Sequence, residues 1–196
     1  MTRRALITGI TGQDGAYLAD FLLGKDYEVY GTYRRVSTPN FWRLQCLEVF
    51  KRINLIPIDL TDMGSITEAI QIPSPDEIYN LAAQSFVEAS FEQPVATANV
   101  SGVSVTRFLE AIRQNKLEAK FYQASTSEMF GVVGRQAKPL TEKDAFHPLS
   151  PYAASKLYAH WLTRIYRDGY GLFACNGVFH AFLEAKYKSE LGSRES

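Results

Sequence analysis

The sequence predicts an α/β protein built as a doubly wound parallel sheet of about six strands, with helices on both faces. Two observations carry that expectation. Short apolar runs alternate along the chain with longer amphipathic stretches, the order of strand–helix–strand crossovers. The glycine-rich and polar residues that stand out fall directly after those apolar runs, where a sheet of this kind gathers its ligands.

Taken in order, Ala5–Thr8 reads as the first strand, followed by glycines and the helix Ala16–Leu23. Glu28–Thr32 is the second strand, and the polar, aromatic stretch from Arg34 to Phe50 is a long excursion after it. Asn54–Ile58 is the third strand. Thr61 and Asp62 then offer a capping side chain to the helix Met63–Ile70. After the fourth strand, Glu77–Asn80, Pro94 stands where a first helical turn tolerates its missing N–H, and opens the helix Pro94–Gln114. Lys120–Ala124 is the fifth strand, Gly131 to Ser150 an extended loop, Pro151–Tyr166 the last helix and Phe173–Val178 the sixth strand.

Composition narrows the class. A chain of 196 residues has room for one sizeable core, burying roughly 70% of its unfolded surface. Its 21 basic and 21 acidic side chains cancel, so no basic field draws it to nucleic acid or anionic lipid. No apolar run spans a bilayer, and Met1-Thr-Arg-Arg4 leads into the first strand without a signal peptide. Cys46 and Cys175 match neither a disulfide framework nor metal-ligand spacing; they are expected as buried free thiols in a reducing, cytoplasmic setting.

The run Gly9-Ile-Thr-Gly-Gln-Asp-Gly15 lies between the first strand and the first helix. Such a turn aims backbone N–H groups and the positive end of a helix dipole at one spot, which suits a pyrophosphate. Gly9, Gly12 and Gly15 supply the tight turn, the close approach of phosphate and the close helix–strand packing; Thr11, Gln13 and Asp14 complete the loop. After the second strand stand Arg34 and Arg35 rather than an acid, which favours the 2′-phosphate of NADP over the free ribose of NAD. A solvated arginine pair is the plain alternative. After the third strand, Asp59 can accept from an adenine amino group and Leu60 can cover its ring. After the fourth, Leu81, Ala82 and Ala83 let backbone lie close to a ribose.

Tyr152-Ala-Ala-Ser-Lys156 follows Ser150-Pro151 at a helix start. A spacing of four puts phenol and ammonium on one helix face, and an ammonium beside a phenol lowers its pKa toward neutrality, making a general acid/base. Ala124-Ser-Thr-Ser-Glu128 ends the fifth strand, with hydroxyls that can orient a substrate hydroxyl against Tyr152. Glu128 adds a carboxylate that a redox step alone does not need, which points to a second proton transfer, as in an elimination. Its plain reading is an acid favoured by a helix N-terminus.

The glycine run, Asn80-Leu-Ala-Ala-Gln-Ser85, Ala124-Ser-Thr-Ser-Glu128 and Ser150-Pro-Tyr-Ala-Ala-Ser-Lys156 together resemble the extended short-chain dehydrogenase/reductase family, over about residues 3 to 179. Within it, Ser127 in the Thr-Ser-Glu triplet, Phe41-Trp-Arg-Leu44 and Ala174-Cys-Asn-Gly-Val178 are similar to the branch of dehydratases acting on GDP-mannose. The resemblance implies a Rossmann-like fold, bound NADP, a nucleotide-sugar substrate and a tendency to form homo-oligomers. It assigns Tyr152, Lys156, Thr126 and Glu128 to catalysis and Ser85, Ser127 and Asn176 to substrate contact. Hydride leaves C4 as Tyr152 takes the hydroxyl proton, Glu128 takes the C5 proton as water leaves C6, and hydride returns to C6.

The chain departs from that pattern in two places. His147-Pro-Leu-Ser-Pro-Tyr152 carries His and Leu where the family often has Tyr and Arg. After Phe179 the family's Asn-His-Glu-Ser-Pro continuation is replaced by His180 to Ser196. The expectation is an NADP-binding domain over 1–179, a non-family tail over 180–196 with helix formers through Leu191, and most of the substrate domain lacking. Two alternatives stay open: a protein that holds NADP without the sugar, and an epimerase or reductase of nucleotide sugars, for which Glu128 is dispensable.

Overall fold

The computed structural model describes residues 2–131, 140–141 and 143–179. Its strands are β1 Arg4–Thr8, β2 Glu28–Arg34, β3 Asn54–Ile58, β4 Glu77–Asn80, β5 Lys120–Thr126 and β6 Ala174–Phe179. They form one parallel sheet in the order β3-β2-β1-β4-β5-β6. The helices are α1 Gln13–Leu23, α2 Trp42–Cys46, α3 Met63–Gln71, α4 Val87–Glu92, α5 Pro94–Ala98, α6 Ser104–Gln114 and α7 Pro151–Tyr170. The order reverses between β1 and β4, which opens a crevice at the carboxyl ends of those strands. The doubly wound fold and the paired sixth strand match the expectation.

Strand register decides which side chains meet. Leu6, Ile78, Phe121 and Ala174 lie side by side on one face. They bury against Ile66 and Ile70 of α3, Val105, Phe108 and Ile112 of α6, and Ala159 of α7. The other face carries Ala5, Ile7 and Val29, packed on Ala16, Ala19 and Leu22 of α1 and Leu44 of α2. Each large side chain so buried contributes about 1.5–3 kcal/mol. Two residues beyond the first apolar row, Thr32, Thr8, Asn80, Gln123 and Asn176 form a second row on the same face, and this one is polar.

Local chemistry sets the helix ends. Asp62 caps α3 by accepting from Gly64 N at 2.9 Å, while Thr61 turns instead to Asp59. Ser150 Oγ accepts from Ala153 N at 3.0 Å at the start of α7, with Pro151 in its first turn. Gly171, in the left-handed conformation, ends α7 at Tyr170 rather than at the expected Tyr166.

Other features also differ from the sequence reading. The stretch expected as one helix from Pro94 to Gln114 is broken by a π-helical turn at Asn99–Val103. Small residues explain the break: Ser101 bonds both N and O of Gln84, and Gly102 lies so close to α7 that a Cβ there would be 3.2 Å from Ser155 O. The Arg34–Phe50 excursion contains α2, too short for its periodicity to register, and held by Leu44 and by Phe41, whose ring meets Tyr33 edge-on and Phe50 at a tilt. The sixth strand starts at Ala174, because Phe173 is 64% exposed at the sheet margin. Cys46 and Cys175 are free but exposed, Cys46 at the end of α2 and Cys175 on the edge strand. The tail 180–196 and most of the loop after Gly131 lie outside the described residues. No helix among the described residues is long and apolar enough to cross a membrane.

Helices α6 and α7 are joined by a polar clasp. Tyr166 Oη donates to Glu110 at 2.6 Å, and Arg113 donates to both Glu110 oxygens at 2.9 Å. The Arg113 guanidinium, then Tyr166, hold the Glu110 carboxyl at about 2, below its ordinary 4.5. A carboxyl held low stabilises the fold fully above about pH 4.5 and loses that contribution as pH falls toward 2. Glu110→Gln is therefore expected to lower the unfolding midpoint at pH 7 and to match the parent chain near pH 2. Denaturant melts across that range check this.

Candidate active site at the strand ends

The loop after β1 is crowded rather than open. Gly9 has a φ of +70°, and a Cβ there would stand 3.0 Å from Ala82 Cα. Gly12 N donates to Gly9 O at 2.9 Å, and Gly12 begins α1 without a side-chain cap. A Cβ on Gly15 would be 2.5 Å from Gly9 O. Ile10, fully buried, fills the space above Gly31 of β2. The first-turn N–H groups of α1 thus open on the crevice beside Thr11, Gln13 and Asp14, and Asp14 is exposed.

Arg34 ends β2, Arg35 follows, and both are exposed. Asp59 Oδ1 accepts from Thr61 N at 2.8 Å and Thr61 Oγ1 at 2.7 Å, and these bonds hold its carboxyl below the ordinary range. That oxygen is engaged within its own turn. Leu60 O accepts from Arg107 at 3.2 Å. Leu81 and Ala82 N both donate to Thr8 Oγ1 at 3.0 Å. Ala83 is half-buried, and Ser85 is exposed just before α4. Arg43 was missed in the sequence, where Phe41-Trp-Arg-Leu44 served only as a likeness. It stacks on Trp42, with 4.6 Å between guanidinium and ring centroid, and donates to Thr11 O at 3.2 Å. Its buried Nε has no hydrogen-bond partner among the described residues.

Tyr152 and Lys156 share the inner face of α7, 8% and 3% exposed. Lys156 Nζ lies 5.9 Å from the Tyr152 ring centroid and donates to Ala124 O at 2.9 Å. Burial lowers the Lys156 ammonium to about 8. The expectation that Lys156 draws the Tyr152 phenol down is not met here. Burial outweighs everything else and pushes it up, a hydrogen bond with Thr126 opposes that, and the nearby Glu128 charge adds to it. Thr126 ends β5 and accepts from Glu128 N at 3.3 Å, opening a 3-10 turn over Ser127–Phe130. Glu128 is exposed in that turn and Ser127 is half-buried. The structure brings Thr126, Glu128, Tyr152 and Lys156 together at one end of the sheet.

Asn176 is turned elsewhere. Its Nδ2 donates to His160 O at 3.1 Å, its Oδ1 lies 3.5 Å from Ser125 Oγ, and Ser125 faces His160 Nδ1 at 3.4 Å. These bonds tie β5 and β6 to α7 behind Thr126. His160, half-buried beside Phe146 and near Arg164 and Arg167, has its proton affinity lowered. Thr8, Asn80 and Gln123 also escaped the sequence reading, because their partners lie on other strands.

A family model described as GDP-mannose 4,6 dehydratase matches residues 6–188. The GDP-mannose 4,6-dehydratase of Vibrio cholerae is 49% identical over 185 residues, 91% of this chain and 49% of the relative. GDP-mannose 4,6 dehydratase 2 of Arabidopsis thaliana is 50% identical, over 89% of this chain and 48% of its own length. The chain spans about half the length of the curated relatives it matches. Among solved structures, UDP-glucose 4-epimerase of Thermus thermophilus in complex with NAD superposes with a TM-score of 0.76 at 30% identity, covering 86% of this chain and 52% of that one. The dTDP-glucose 4,6-dehydratase of Streptomyces venezuelae, solved with NAD and TYD, gives 0.76 at 24% identity, covering 89% and 54%, a likeness of fold.

The crowding at Gly15 has a direct test. Gly15→Ala places a methyl against Gly9 O and Ile10 Cα, so the loop must shift or the helix start must unwind. A loss of about 1–3 kcal/mol in denaturant unfolding is expected, whereas Gly169→Ala, with open space around it, is expected to cost nothing.

Proposed function

The chain belongs to the GDP-mannose 4,6-dehydratase family, and on that premise we propose that it forms the NADP-binding, proton-transferring part of a nucleotide-sugar dehydratase acting on GDP-mannose. The observation that carries this reading is the meeting of Thr126, Glu128, Tyr152 and Lys156 at the strand ends that also hold the glycine loop. The unit is residues 1–179. Exposed free thiols suit a reducing, cytoplasmic setting.

The residues present fit a dinucleotide. The glycine cradle is one that a Cβ would fill, and the α1 N-terminus lacks a capping side chain. Arg34 and Arg35, with no acid beside them, suit a 2′-phosphate, and Arg43 adds a guanidinium at the glycine loop. Leu60, Leu81, Ala82 and Ala83 would line the adenosine. When bound, NADP supplies a hydride acceptor that returns the hydride later in the cycle.

Tyr152 Oη takes the proton of the sugar 4-hydroxyl, with Thr126 Oγ1 orienting that hydroxyl. Burial favours the protonated phenol in this state and the Thr126 bond opposes it; the role proposed for the Lys156 ammonium, one turn along α7, is to stabilise the phenolate that takes this proton. Glu128, exposed at the mouth, takes the proton at C5 and delivers one to the oxygen leaving C6 as water. A positioned acid or base of this kind is worth about 10²–10⁴ in rate. Ser85, just before α4, and Ser127, in the turn after β5, would serve as substrate contacts.

Calorimetric titration with NADP, NAD and GDP-mannose, together with an assay for the 4-keto product, tests the reading. NADP is expected to bind about tenfold or more tighter than NAD, and the Arg34→Ala, Arg35→Ala double variant to lose that preference. Tyr152→Phe is expected to lower turnover by about 10²–10⁴ with NADP affinity unchanged. Binding of neither dinucleotide overturns the reading. NADP binding without sugar binding or turnover reduces it to a cofactor-holding module, and full turnover in Glu128→Gln makes it an epimerase or reductase.

A further inference from the structure

Thr8, Asn80 and Gln123 are neighbours on β1, β4 and β5, all buried. Their side chains join in one directed line of hydrogen bonds. Leu81 N and Ala82 N both donate to Thr8 Oγ1, which fills its two lone pairs. The hydroxyl is left with its proton alone, and donates it to Asn80 Oδ1 at 2.7 Å. Asn80 Nδ2 is thereby turned to Gln123 Oε1 at 2.7 Å, and Gln123 Nε2 to the Ala124 carbonyl at 2.8 Å. The same carbonyl accepts from Lys156 Nζ. With backbone donors at one end and a backbone acceptor at the other, no amide in the line can reverse without two like groups meeting.

We infer that this line is a positioning device for Lys156, in which Gln123 holds the Ala124 carbonyl and occupies one of its two lone pairs. The ammonium then has a single place on that oxygen, and it shares the acceptor with a neutral donor. A carbonyl already engaged by an amide is a weaker partner for an ammonium than a free one. Gln123 thus acts through Ala124, as a positioning residue. Its consequence for proton transfer rests on the proposed pairing of Lys156 with Tyr152; the placement of Lys156 does not.

The titratable groups around Lys156 leave this line its main polar influence. Tyr152 lies one turn back on α7, Glu128 acts on Tyr152 from the turn after β5, and His160 faces Ser125. On α6, Arg107 is committed to the Leu60 and Asn99 carbonyls, and Glu110 and Arg113 to each other. Glu88 and Glu92 of α4 are exposed, and so is the Cys175 thiol on β6. Lys156 itself is almost wholly removed from water, and that burial lowers its ammonium.

The test reads the Lys156 titration in the cofactor-free chain by NMR of ¹³Cε-lysine, with the signal identified through Lys156→Arg. The parent midpoint is expected at about 8. Gln123→Met leaves the Ala124 carbonyl to Lys156 alone, and is expected to raise the midpoint by about half a pH unit, the scale of one neutral hydrogen bond. Thr8→Val releases the orientation of both amides from two links away and is expected to move the midpoint the same way by less, whereas Thr8→Ser keeps the parent value. An unchanged midpoint in folded Thr8→Val or Gln123→Met overturns the inference; if Gln123→Met does not fold, Thr8→Val decides. Neither sugar nor cofactor enters this measurement, so its failure and that of the proposed function are read apart.

Discussion

With all six strands running one way, register alone determines that Thr32, Thr8, Asn80, Gln123 and Asn176 stand side by side. A slip of one residue at any pairing would turn a strand's members of that row to the opposite face, and its apolar side chains with them. The row of Leu6, Ile78, Phe121 and Ala174 beneath makes such a slip costly, because it is locked into the helices of one face. Core packing and site geometry are therefore one problem here. The apolar row holds the register, and the register delivers the polar row to the strand ends.

Burial then works against the very groups the site gathers. Tyr152 and Lys156 are both largely removed from water, and each is pushed toward its neutral form. Thr126 and Ala124 answer with hydrogen bonds from the same strand end. The result is a pair whose charge states are held by a few short contacts rather than by solvent, so small changes in those contacts carry weight.

What could be read from the sequence was whatever is local. The glycine run, the Tyr152–Lys156 spacing, the Ser150-Pro151 helix start and the cap at Asp62 each work within a few residues, and each is found in the structure. What escaped reading depends on distant partners. Thr8 meets Asn80 across 72 positions, and Asn80 meets Gln123 across 43, separations that leave no periodic trace. The break at Asn99–Val103 comes from how closely Gly102 approaches α7, and Cys175 is exposed because β6 is an edge. The phenol's shift ran against expectation because spacing reveals a neighbour but not how dry the neighbourhood is.

Glycine is usually associated with looseness, yet around Gly9, Gly15 and Gly31 the missing side chains are replaced by Ala82, Gly9 O and Ile10 in near contact. A loop packed this tightly gives up its conformational entropy when the chain folds. An anion arriving at the α1 N-terminus meets amides already aimed, with little left to freeze. Association there should accordingly carry a small ordering penalty, and its strength should follow the charge and shape of the guest more than any rearrangement of the host.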